Sequence, residues 1–312
     1  MTAAFGLVGL TLALLAIRQN VVVILLAAAA YVHMFWGDGQ LTYLIEDLWL
    51  SLDNEVLLAI PMFLLAVMTR GSIAKRLIDL AVSVTRPIPG GLAVATILSC
   101  AIFAAISGSS PVTLLAVGTI LYPALIQNSY GKRFSLGALT SGGTLGIIIP
   151  PSIPLILYGI VTEHSIADLF VAGIIPGIMI ASALAFYSYW VNRKMPSEPF
   201  SPSEFTSALR AGGWSMALPL ILLGGIYSGY FSPTEAAAVA LIYALFVEIF
   251  IHRELKVIDF FRTAVETSKL LGMLFPIIAV ALSIKTLLTI EGAPQALADY
   301  VTTISDNPII FL

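Results

Sequence analysis

Long apolar runs separated by short polar stretches predict eight membrane spans, at about 3–17, 21–36, 55–69, 134–160, 168–191, 214–230, 234–251 and 269–288. A further apolar segment, 91–127, is interrupted at its centre by Ser107-Gly108-Ser109-Ser110-Pro111 and reads as a helical hairpin. The span 134–160 carries a second interruption, Gly146-Ile147-Ile148-Ile149-Pro150-Pro151. In hydrocarbon every unpaired backbone group is costly, so irregular backbone persists only inside protein or beside a wet cavity. Two interruptions so close together point to an ion or substrate site near the bilayer midplane, the pattern of secondary transporters. Whether 91–127 is two short spans or a re-entrant hairpin stays open, because both return the chain to the same side. The loop 37–54 holds an amphipathic piece, Leu41 to Leu52, suited to lie along the interface.

Composition agrees with a membrane setting. Of 312 residues, 59% are hydrophobic and 11% charged, against about 25% charged in a soluble domain. The net charge of −3 and the lack of a basic run argue against nucleic-acid binding. A single cysteine, Cys100, excludes an intrachain disulfide framework and a cysteine metal cluster, and reads as packing. The segment Met1 to Ile17 has no basic leader, so it reads as a span rather than a signal. Every Lys and Arg except Lys285 falls in loops of one parity, from Arg18 and Arg70 through Lys132 and Arg133 to Lys269. The opposite loops carry acids such as Asp38, Asp47, Glu163, Asp168, Glu235 and Glu291. The positive-inside rule then makes the basic loops cytoplasmic and the N-terminus periplasmic.

The interruptions have chemistry of their own. Ser109 or Ser110 can cap the helix that begins at Pro111, and its free N–H groups suit a carboxylate. The hydroxyls of Ser107 and Ser109, with turn carbonyls, offer hard oxygen ligands to a small cation. Pro150 and Pro151 lack N–H groups, so carbonyls of Ile147 and its neighbours around Gly146 and Ile149 lose helical partners. Together the two breaks would form a cage of neutral oxygens, as sodium requires. The plainer alternative is a Gly-Ser turn and a proline hinge, and each break taken alone fits it equally well. His33, His164 and His252 sit at span ends and read as interfacial. An intramembrane serine protease built on Gly108-Ser109 would need a histidine at the same depth, which the pattern does not supply. Trp36, Trp49, Trp190 and Trp214 lie where an aromatic belt would.

A weak internal repeat adds to this. Ala59-Ile60-Pro61-Met62-Phe63, Gly71, Leu77-Ile78-Asp79 and Arg86-Pro87 are echoed by Leu274-Phe275-Pro276-Ile277, Gly292, Leu297-Ala298-Asp299 and Asn307-Pro308. The first copy starts outside and the second inside, the inverted topology of many carriers. The first copy runs on into the hairpin and the broken helix. The second reaches Leu312 where its own hairpin is expected, so the chain is expected to lack half of its transport core. The expected organisation is scaffold helices over 1–70, a cytoplasmic connecting helix over 71–90, and a transport-core half over 91–191. A cytoplasmic linker over 192–213 and incomplete second-repeat scaffold helices over 214–312 follow.

Seven motifs in one order complete the reading. They are Ala59-Ile60-Pro61-Met62-Phe63-Leu64-Leu65-Ala66, Arg76-Leu77-Ile78-Asp79, Gly90-Gly91-Leu92-Ala93, Ile106-Ser107-Gly108-Ser109-Ser110-Pro111-Val112-Thr113, Leu145-Gly146-Ile147-Ile148-Ile149-Pro150-Pro151-Ser152-Ile153, Ala172-Gly173-Ile174-Ile175-Pro176-Gly177 and Pro233-Thr234-Glu235-Ala236-Ala237-Ala238. Across essentially the whole chain this resembles the large membrane subunit of TRAP (tripartite ATP-independent periplasmic) transporters, DctM type. The resemblance implies an all-α polytopic protein of the bacterial inner membrane, an inverted-repeat, elevator-type sodium/solute symporter. It implies two partners, a small four-helix membrane subunit and a periplasmic substrate-binding protein. The solute would be an organic acid such as a C4-dicarboxylate or sialic acid. Sodium is the coupling ion, with no other cofactor and no enzymatic activity. The family's first sodium site maps onto Ser107, Ser109, Gly146, Ile149 and Pro151. Substrate contacts are expected from Ser110, Thr113, Thr144 and Pro150. An unrelated secondary carrier or channel with a similar hairpin core, such as a dicarboxylate or citrate carrier, is the alternative.

Overall fold

A computed structural model describes residues 2–36, 41–68 and 73–304 of the chain. Asp38, Arg70, Gly71, Asn307 and Pro308, which entered the charge and repeat patterns, lie outside them. The described residues are helical, with no strand.

The first three helices are α1 (Thr2–Ala16), α2 (Val21–Phe35) and α3 (Leu41–Leu52). Asn20 starts α2 by accepting the Val22 N–H at 3.1 Å. The amphipathic piece expected over Leu41 to Leu52 is α3 itself, with the same bounds. Then come α4 (Ala59–Met68) after a short 3-10 turn, and α5 (Ile73–Thr85). The hairpin arms are α6 (Gly91–Ser107) and α7 (Ser110–Gln127). The broken helix is α8 (Lys132–Gly143), a 3-10 turn over Thr144–Ile147, and α9 (Ile153–Thr162). The remainder is α10 (Ile166–Asn192), α11 (Pro202–Tyr227), α12 (Pro233–Phe246), α13 (Val257–Ile290) and α14 (Ala293–Ile304).

Five of the described helices are long and apolar enough to cross a membrane, and a sixth counts if Leu41–Leu52 and Glu55–Ala66 form one bent span. The chain is therefore a polytopic membrane protein. Sequence hydropathy predicts more spans because it also marks 134–160, which breaks into helices of 12 and 10 residues, and α1 and α2, each of 15 residues. Such a helix reaches about 22 Å, short of a hydrocarbon core about 30 Å thick. Two helices also begin earlier than hydropathy marks. Ser201 caps α11 from outside and Pro202 takes its first position, so the helix starts in the polar stretch expected to be linker. α13 likewise starts at Val257 rather than near 269, with Asp259 in its first turn.

The chain divides into two compact units, residues 1–54 with 269–312, and residues 55–268. In the first, Ala29 of α2, Leu44 of α3 and Val280 of α13 share a small core. His33 belongs to this interior. It is 2% exposed, its Nδ1 is 2.9 Å from Ala29 O, and its Nε2 lies 3.5 Å from Ser283 Oγ and 3.7 Å from Asp47 Oδ2. The His252 side chain is 4% exposed, beside Glu248, whereas His164 is exposed.

The second unit holds both breaks. Ile97, Cys100 and Phe103 of α6 pack with Val117 and Leu121 of α7, Leu139 of α8 and Leu145, forming the core behind the breaks. Cys100 is fully buried there, the packing role expected of it. On α12 the buried face is Ala236, Ala237, Ala240 and Ala244, and α12 packs on α4. Between helices in lipid the hydrophobic drive is weak, so small side chains that let backbones approach supply the attraction. A capping box fixes the start of α12: Ser232 Oγ accepts the Glu235 N–H and the Glu235 carboxylate accepts the Ser232 N–H.

Candidate ion and substrate site

The hairpin turns at Gly108, which takes the left-handed conformation (φ 59°) and donates its N–H to Ala104 O at 3.1 Å. Glycine is required there twice over. Its φ is unfavourable for other residues, and a Cβ would stand 2.6 Å from the carbonyl oxygen of Pro151. Ser109 then extends the chain, and its carbonyl accepts the Thr113 N–H at 3.0 Å to open α7. Its side chain makes no capping hydrogen bond.

In the second break the chain leaves α8 through the 3-10 turn, passes a cis Pro150–Pro151 bond and re-enters helix at Ser152. Ser152 is fully buried. Its hydroxyl donates to Ile147 O at 2.7 Å and accepts the Leu155 N–H at 3.5 Å. The Ile147 carbonyl, expected to be free, thus spends one lone pair on Ser152. Sequence reading missed this partner, although Ser-x-x before an apolar helix is a capping signal.

Main-chain atoms join the two breaks. The Ile153 N–H donates to Gly108 O at 3.0 Å. Gly146 lies against the turn, where a Cβ would be 2.7 Å from Ser109 O and 2.9 Å from Thr113 Oγ1. Behind it Ser107 Oγ and Thr113 Oγ1 share a 2.6 Å hydrogen bond, both residues fully buried. Ser107 Oγ also lies 3.4 Å from both the carbonyl oxygen and the amide nitrogen of Ser109. Ser107, Ser109, Gly146 and Pro151 are therefore close neighbours. Ile149 is held from the other side: its N–H donates to Leu145 O at 2.8 Å, and its Cγ1 lies 2.8 Å from where a Cβ on Gly177 of α10 would be. Gly173 similarly makes room for Ile148, whose carbonyl oxygen would be 2.8 Å from a Cβ there.

The four residues expected to touch substrate separate. Thr113 turns to Ser107 and joins the cage of oxygens. Ser110 Oγ is buried without a hydrogen-bond partner among the described residues. Pro150 is buried beside Gly173. Thr144 is exposed and donates to Ser141 O at 2.6 Å. The donor set is neutral oxygen throughout, hydroxyl and carbonyl. Among the described residues no group of three or more His, Cys, Asp or Glu could hold a metal ion. Such a set suits a weakly held monovalent cation and gives no support to a transition metal.

The family model for the DctM component of tripartite ATP-independent periplasmic transporters matches residues 8–312. A C4-dicarboxylate TRAP transporter large permease protein of Pseudomonas aeruginosa is 42% identical over 292 residues, 92% of this chain and 68% of its own length. An ectoine TRAP transporter large permease protein of Halomonas elongata is 41% identical, with 86% of this chain and 64% of its own covered. An isethionate TRAP transporter permease protein of Oleidesulfovibrio alaskensis is 36% identical, covering 88% and 44%. The chain thus spans between under half and about two thirds of the length of these relatives. A model matched over nearly every residue, and relatives this similar, agree on one assignment: the chain belongs to the DctM family of TRAP transporter large permeases.

Proposed function

We propose that the chain acts as the large transmembrane subunit of a sodium-coupled uptake system for an organic acid. A periplasmic binding protein delivers the solute and a small four-helix membrane subunit completes the membrane complex. The observation that carries this reading is the junction of the two breaks, with Ile153 N–H on Gly108 O and the Ser107–Thr113 hydroxyl pair beside it. Sodium binds among Ser107, Ser109, Gly146, Ile149 and Pro151, with Thr113 polarising the Ser107 hydroxyl. The start of α7, with Ser110, receives the carboxylate, because unsatisfied helix N–H groups favour an anion. Sodium at the adjacent cage adds positive charge at that spot, so ion and anion strengthen each other's binding. That reciprocity is the physical basis of coupling.

The transport-core half, 91–191, moves past scaffold helices in an elevator stroke, with 71–90 and 192–213 as cytoplasmic connections. The membrane is the bacterial inner membrane, with the N-terminus periplasmic. Relatives differ in the solutes their names state, C4-dicarboxylate, ectoine and isethionate, so the solute of this chain is proposed only as a carboxylate of that size. The test is reconstitution of the permease, as its gene encodes it, with the small subunit and binding protein. Accumulation of a labelled dicarboxylate should require an inward sodium gradient. Uptake that persists when potassium replaces sodium on both sides would overturn the sodium assignment.

A further inference from the structure

The end of α12 opens into a π-helical turn over Val247–Ile251, and within that turn Glu248 is fully buried. A carboxylate in the interior is costly unless paired. Glu248 Oε1 accepts the N–H of Ile73, the first residue of α5, at 3.1 Å, and lies 3.6 Å from His252 Nδ1. A second contact lies one turn further along α5, where Arg76 pairs with Glu254 at 3.0 Å. The start of α5 is thus fastened to the end of α12.

α5 has a particular place in this unit. It follows α4, which packs on α12, and it leads through Arg86-Pro87 into α6, the first arm of the hairpin. It packs against both α11 and α6. Its 13 residues form a stiff rod about 20 Å long. A small shift at the start of such a rod becomes a larger one at the hairpin. Cohesion does not require the carboxylate, because the Ile73 side chain already packs with Leu77, Ile106, Leu218 and Ala244. An apolar residue of similar size would fill the Glu248 site without the cost of burying a charge. The acid contributes direction instead: a charge-assisted hydrogen bond to one backbone N–H at a helix start.

We propose that Glu248 is a positioning residue for transport, pinning the start of α5 to α12 so that α5 carries the hairpin about a fixed pivot. The inference rests on the transporter reading given above. The test uses sodium-driven uptake by the complete reconstituted system, expressed per folded transporter. Glu248→Leu removes the pin while keeping the volume filled. Its turnover should fall about tenfold, the scale of one hydrogen bond to a charged group, with solute KM and sodium half-saturation unchanged. Glu248→Gln keeps an acceptor without the charge and should recover part of the rate. Ile73→Pro deletes the donor at a helix position where proline fits, together with the packing of the Ile73 side chain, and should slow turnover at least as much as Glu248→Leu does. The double variant should be no slower than Ile73→Pro alone.

A purely structural role would lower the amount of folded protein and leave turnover per transporter intact, which overturns the proposal. So would a change confined to KM, or losses from the two sites that simply multiply. Failure of the unsubstituted system to take up solute under a sodium gradient would overturn the transporter reading together with the pivot. Normal uptake with an unaffected Glu248→Leu variant would overturn the pivot alone.

Discussion

Ser107 and Thr113 face each other across the hairpin turn in a fully buried 2.6 Å hydrogen bond. Ser107→Ala leaves the Thr113 hydroxyl buried and unpaired, at a cost of about 1–3 kcal/mol. It should also raise the sodium concentration for half-maximal transport, with a smaller effect on solute KM. Transport rate against sodium concentration measures this, and an unchanged curve would remove Ser107 from the site. Gly146→Ala places a Cβ 2.7 Å from Ser109 O, a backbone atom that cannot easily retreat. That substitution should abolish transport and lower the unfolding temperature. Gly137→Ala, on an exposed part of α8 with nothing within 4 Å of a Cβ, should be neutral or slightly stabilising. Gly108, Pro150 and Pro151 were legible as breakers because their conformational limits are local properties of the chain. The Ser152 hydroxyl on Ile147 O and the burial of His33 were not. The first depends on how the backbone folds back over five residues, and the second on Ser283, 250 residues away.

Element ends follow the same division. α12 was legible as the apolar span 234–251, and the capping box and first-turn proline that set its start act within four residues, Ser232 to Glu235. Ser232→Ala should cost about 1 kcal/mol and raise hydrogen exchange in the first turn of α12, leaving α10 unchanged. The polar half of α11 was not legible, because hydropathy is silent where a helix continues out of an apolar stretch. What holds that region is Arg86, at the end of α5, which pairs with Glu198 in the linker and Glu204 in the first turn of α11. The Glu198 N–H also donates to the Arg86 carbonyl at 3.3 Å. Both glutamates are more than half exposed, so the ion pairs add little stability. Arg86→Ala should therefore leave the unfolding temperature nearly unchanged while speeding proteolysis within 193–204. Equal proteolysis in the two forms would show that the linker is held by its backbone alone.

For the molecule as a whole, the distribution of Lys and Arg makes a prediction independent of any site. In a cysteine-free background, a cysteine at Lys132 should react only with a reagent that reaches the cytoplasm, and one at Glu163 with an impermeant reagent from outside. Periplasmic labelling of position 132 would invert the orientation. The broad class was legible from apolar content, which no soluble fold tolerates, and the family from motifs that coincide with the breaks. The junction of the breaks has a consequence for how such proteins diversify. It is drawn largely in main chain: an amide of Ile153, carbonyls of Gly108 and Ser109, and a glycine where each surface must come close. Mutation can exchange the side chains around it without redrawing that frame. The proposed ion seat would then pass through a lineage intact while the solute changes in single steps, and the relatives carry names for C4-dicarboxylate, ectoine and isethionate.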